Sequence, residues 1–285
     1  MYNLRYHIAS LVAVFLALAV GLLLGTIVVE RGLLNAQKTT LVAGLQKEFE
    51  TNRTQIQDLK TRNDALAAYA AASVPEIVRG TLAGRTVVLL GDPDSGDILS
   101  HAAEAVRLAG GTPASVIFTG AGLSLGDAKV KDAAMKVLGS PAESQLRARV
   151  TEALALEWTS SDRSRALTNA LVSAGGLRVQ GLEPGVPLSA TVVSAVRGSE
   201  ADTATLALAE ALASPSRPAA GVETTARRTG QAKAAAEGGL SAVDDIDEPL
   251  GKVSLIWVLS GRRSGHFGTG DGSTARFPDP LSGAN

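Results

Sequence analysis

The chain has 285 residues, with 28 acidic against 27 basic side chains and a net charge of −1. The two signs are interspersed, which excludes the basic field that nucleic-acid binding requires. Cysteine is absent and aromatics make up 4%, so disulfides, thiolate metal sites and cysteine nucleophiles are excluded together, and any core must be built from Val, Leu, Ile and Ala.

Residues 8–29 are uncharged and mostly apolar. As a helix they would measure about 33 Å, against a hydrocarbon core of about 30 Å. A cleaved signal peptide carries an apolar region of only about 7–15 residues and a small-x-small cleavage site. This run instead passes straight into Glu30 and Arg31, so residues 1–30 are predicted to be an uncleaved transmembrane anchor in contact with membrane lipid. Ala13, Ala17, Gly21 and Gly25 recur at i, i+4 spacing on one helix face, the last two forming a GxxxG motif. Small side chains there let two helices approach closely in lipid. Arg5 on one side of the span and Arg31, Lys38 and Lys47 on the other leave the topology undecided by charge.

A heptad pattern follows in residues 31–74. Val42, Phe49, Ile56, Asn63 and Ala70 form one set, and Leu45, Asn52, Leu59 and Leu66 form the other. With these as positions a and d, the pattern is a coiled-coil seam, Asn63 can fix register, and Glu48 at g faces Arg53 at the following e in a parallel pair. A parallel dimer is predicted. The alternative is an amphipathic helix lying against the protein's own globular part. Pro75 reads as the helix stop.

Beyond the stalk, residues 75–260 alternate short apolar strands (86–90, 114–118, 190–196, 252–259) with helices (98–109, 129–138, 143–156, 164–174, 202–213). The pattern predicts an α/β head with a largely parallel sheet. Residues 261–285, rich in Gly and Pro, read as a mobile tail.

Several motifs carry chemistry. Asp92 and Asp94 follow the first strand, where two carboxylates can hold Mg²⁺ and supply a nucleophile. The arrangement resembles haloacid-dehalogenase-type phosphatases, with Asp244 and Asp245 as a second acidic pair. Gly91 and Pro93 interrupt that motif, and capping of the next helix by Asp94, Ser95 or Asp97 is the simpler account. Gly120-Ala121-Gly122 with Gly126 reads as a plain turn, with Asp127 capping the helix after it. Asp244, Asp245, Asp247 and Glu248 cluster before the last predicted strand, either as hard-cation ligands or, the favoured reading, as a solvated loop. His266 lies in the glycine-flanked Gly265-His266-Phe267-Gly268-Thr269-Gly270. The candidate metal ligands are therefore Asp244, Asp245, Asp247 and His266. No enzymatic activity and no cofactor is expected.

The opening Leu4-Arg5-Tyr6-His7-Ile8-Ala9-Ser10-Leu11, continuing to Leu18-Ala19, resembles the start of the mycobacterial copper transport protein B family. Residues 241–247 and 265–270 resemble its C-terminal segments, and the likeness runs nearly end to end in order. The resemblance implies an actinobacterial envelope protein with an extracytoplasmic head, from a family described as pore-forming and needed for copper homeostasis or efflux. Some relatives are linked to cell separation, acting with a membrane partner on a peptidoglycan hydrolase. Copper(I) favours sulfur ligands, yet the only methionines are Met1 and Met135, and His7, His101 and His266 have no paired spacing. The anchor also carries no polar stripe to line a pore. The residues favour a dimeric scaffold, binding an envelope protein partner, over a conduit.

Overall fold

The computed structural model describes residues 4–119, 125–195, 198 and 200–279, leaving out the side chains of residues 28–37, 39–40 and 200–202. The chain divides into two compact units, Met1–Leu66 and Ala67–Asn285. Helix α1 runs from Leu4 to Val78. Among the described residues one helical stretch, Leu4–Ile27, is long and apolar enough to cross a membrane. Pro75 lies inside α1 rather than beyond it. A proline there removes one backbone hydrogen bond, and burial of Val74 and Val78 on either side of it holds the last turn in place.

The second unit has the predicted α/β architecture. After α1 come β1 (Thr86–Gly91), α2 (Gly96–Leu108), β2 (Thr112–Phe118), α3 (Ala128–Leu138), α4 (Glu143–Thr159), α5 (Ala166–Ser173) and β3 (Leu177–Gln180). The second half holds β4 (Ala190–Ser194), α6 (Glu200–Leu212), β5 (Ala219–Val222), α7 (Gln231–Glu237), β6 (Ser241–Val243), α8 (Pro249–Leu259) and β7 (His266–Phe267). The seven strands are ordered β3-β2-β1-β4-β5-β6-β7. Only the β2–β3 pair is antiparallel.

Strand alternation divides the core into two layers. Val87 and Leu89 point to one face, where they pack with Val74 and Val78 of α1, Ile98 of α2 and Leu255 and Val258 of α8. Val88 and Leu90 point to the other, with Val130 of α3, Leu146 and Trp158 of α4 and Leu208 of α6. Burial on both faces is why β1 reads as an unbroken apolar run.

Three further expectations are corrected. Residues 252–259, read as a strand, belong to α8. A helix buried nearly all round shows no polar face, so its apolar run mimics a core strand, while Pro249 at its first turn is the usual helix-start position. Residues 261–279 are not a free tail: β7 pairs in parallel with β6, Phe277 packs on Trp257 with ring centroids 5.2 Å apart, and Arg263 Nη2 donates to the Asp279 carbonyl at 3.0 Å. The acidic run beginning at Asp244 is not a solvated loop. Asp244 and Asp245 are 2% and 8% exposed, directly after β6.

Candidate functional site

The parallel strands all end on one edge of the sheet, the edge where α/β proteins place their ligands and where β1 and β4 mark the switch in strand order. After β1, Asp92 is buried and Asp94 exposed, so the two do not share one environment. The Ser95 hydroxyl accepts from the Asp92 amide (3.0 Å) and donates to the Asp92 carbonyl (2.9 Å), tightening the turn rather than capping α2. Asp97 instead pairs with Arg227, Nη1 to Oδ1 at 2.9 Å. Farther along, Asp127 does cap α3: its Oδ1 accepts from the Lys129 amide at 2.7 Å. Gly120, Ala121 and Gly122 lie outside the described residues, as does Val196.

The densest polar cluster joins the loops after β5, β6 and β7. His266 Nε2 meets Asp244 Oδ1 at 2.7 Å, and Gly270 N–H donates to Asp244 Oδ2 at 2.8 Å. Arg228 donates through Nη1 to the Asp244 carbonyl (2.6 Å) and through Nη2 to Asp245 Oδ1 (2.5 Å) and Thr269 Oγ1 (2.9 Å). Thr269 Oγ1 lies 3.1 Å from both Asp245 oxygens. Beside them the buried Glu223 accepts from the Ala232 amide (3.0 Å) and the Thr229 hydroxyl (3.2 Å), capping α7 from the preceding loop.

Two of the three glycines of residues 265–270, Gly268 and Gly270, are explained by this packing. A Cβ on Gly270 would lie 2.6 Å from Asp244 Oδ2, and one on Gly268 would lie 2.7 Å from Asp244 Cβ, at a φ of +129°. Side chains are excluded so that the β7 loop can wrap the carboxylate. Arg228, Thr269 and Glu223 were not anticipated from sequence. The spaced glycines were the only local signal of a close approach.

Of the four predicted metal ligands, the structure brings Asp244 and His266 into contact and places Asp245 beside them on Arg228. Asp247 is held elsewhere, accepting from the Thr225 amide at 2.8 Å and from the Thr225 hydroxyl. Burial alone would raise its pKa; the two Thr225 bonds, its own amide and the nearby charge of His101 outweigh this and hold the carboxyl below its ordinary range. Among the described residues no group of three or more His, Asp or Glu is placed to hold a metal ion. The cluster is chemically a clasp that closes one side of the sheet.

The clasp includes the two C-terminal segments that, with the start of the chain, carry the family resemblance. A family described as "Copper transport outer membrane protein, MctB" matches residues 1–278. The chain belongs to this family. It is similar to the copper transporter MctB of Mycobacterium bovis and to that of Mycobacterium tuberculosis, 29% identical to each over an alignment of 326 residues covering 96% of this chain and 98% of the relative. No solved structure matches. The MctB family assignment and the long apolar stretch Leu4–Ile27 fit a membrane or envelope location.

The predicted pairing residues lie on α1. Leu45, Phe49, Ile56, Leu59 and Leu66 keep between 52% and 71% of their surface exposed in the single chain, and Asn63 is exposed beside them. Ala13 and Ala17 are exposed, and a Cβ added at Gly21 or Gly25 would meet nothing within 4 Å. Among the described residues no packing therefore demands small residues at those two positions.

Proposed function

We propose that the protein serves copper homeostasis at the cell envelope as a membrane-tethered parallel dimer whose heads bind other envelope components. Its relatives are named copper transporters, which supports the copper role. The single observation that carries the dimeric scaffold is the stripe of Val42, Leu45, Phe49, Ile56, Leu59 and Leu66, each more than half exposed. Such a row of large apolar side chains, repeated at heptad spacing, costs free energy in water until a partner covers it. Gly21 and Gly25, where an added Cβ would meet nothing within 4 Å among the described residues, offer a second contact in lipid with the same symmetry. The span Leu4–Ile27 exposes large apolar side chains along its length and carries no charge after Arg5, which suits a tether better than a pore lining. The head is proposed to lie outside the cytoplasm and to act without catalysis.

A copper-tolerance test in a strain lacking the protein separates scaffold from conduit. The wild-type chain should restore growth on copper, and Ile56→Lys with Leu59→Lys should not, although the variant accumulates in the membrane. Restoration by the unpaired variant, or copper-dependent conductance from the purified chain in planar bilayers, would overturn the scaffold.

A further inference from the structure

We propose that the head takes over the pairing stripe of α1 from Ala70 onward, so that two copies join along residues 42–66 and part at the end of the helix. This rests on the paired stalk proposed above and adds where pairing stops.

The heptad register carried past Leu66 places Ala70 at a, Ser73 at d and Ile77 at a. Up to Leu66 the large side chains of the stripe are exposed. Within the head unit the pattern changes. Ala70 and Ser73 are half-buried, while Val74 and Val78 are 3% and 0% exposed in the layer that holds Leu82, Ile98 and Val253. Val74 occupies an e position, the flank against which a partner helix must lie. With that flank filled by the head's own core, a second α1 cannot continue alongside.

The side chains change at the same point. Leu66 is followed by Ala67, Ala68, Ala70, Ala71 and Ala72, so neither a nor d offers a large knob until Ile77, which stays 50% exposed. The stretch that remains for pairing is about 37 Å of helix and more than three heptads, the least that sustains a coiled coil. It contains the complementary Glu48 and Arg53, and it ends where the first compact unit ends. The intramolecular alternative for the heptad stripe thus applies to its last turns only, and the second copy is the occupant of the rest.

The chain contains no cysteine, so single replacements report without background. Leu59→Cys, Leu66→Cys, Ser73→Cys and Ile77→Cys are placed in the full chain, in native membranes, and oxidised side by side. Disulfides require Cα atoms within about 7 Å. Leu59→Cys and Leu66→Cys should convert to covalent dimers, while Ser73→Cys and Ile77→Cys stay monomeric over the same time. A maleimide should label Ile77→Cys faster than Leu66→Cys, which the partner helix covers, showing that access is not the limit at Ile77. Cross-linking at Ser73 and Ile77 as fast as at Leu66 would overturn the takeover and leave the paired stalk standing. Failure at all four positions would remove the paired stalk itself.

Discussion

His266 of strand β7 and Asp244, directly after strand β6, meet side chain to side chain at 2.7 Å, with both residues 4% exposed or less. The second oxygen of the same carboxylate takes the amide of Gly270 at 2.8 Å. A β6–β7 ladder only two residue pairs long cannot by itself hold an edge strand, so this buried contact joins the Phe277–Trp257 packing and the Thr269–Asp245 bonds in fixing residues 261–279 to the head.

Asp244→Ala should therefore be among the most damaging single changes in the head. It strands the His266 ring and the Gly270 amide in a buried site, at a cost of about 3 kcal/mol. The urea midpoint of the purified full chain reports it. Glu248→Ala, four residues on and exposed, should change stability by no more than about 0.5 kcal/mol. Equal losses from the two variants would mean that the pair does not anchor the edge.

Glycine positions separate steric need from mere abundance. Gly270→Ala should destabilise by about 1–3 kcal/mol, since its Cβ would sit 2.6 Å from the Asp244 carboxylate. Gly221→Ala should behave similarly, its Cβ falling 2.5 Å from Ala235 Cβ where α7 packs on β5. Gly96→Ala, in the first turn of α2 with open space around it and a φ of −60°, should be neutral or stabilise by up to about 1 kcal/mol. Thermal melts of the three variants give the ranking directly.

The contrast between these positions also shows what the sequence could convey. Strand β1 was legible because Val87 to Leu90 are buried on both faces, and α3 because Asp127 caps it. Helix α8 was mistaken for a strand because Val253 to Leu259 bury too many sides to leave a polar period. Strands β5, β6 and β7, at four, three and two residues, are too short for any period to register. The acidic cluster read as solvated because its main cation, Arg228, reaches it from a loop 16 and 17 residues earlier. A pairing of that kind is decided by chain topology and leaves no local mark.

Asp247 gives a pH signature. Its carboxyl is held below the ordinary range, by the Thr225 hydroxyl and amide and by the charge of His101, against the opposing effect of burial. A depressed folded-state pKa means that its contribution is present above the unfolded carboxylate value and is lost as pH falls through the folded one. Wild type should therefore lose more stability than Asp247→Asn between neutral pH and acid, below about pH 4. Parallel pH dependences in the two proteins would contradict the Thr225–Asp247 tether.

Pairing along α1 is the claim on which the function depends, and the mass of the detergent-solubilised full chain by sedimentation tests it most directly. Wild type should sediment as two copies, and Ile56→Lys with Leu59→Lys as one, with the head equally folded in both. A wild-type chain that sediments as one copy at high concentration would contradict the account.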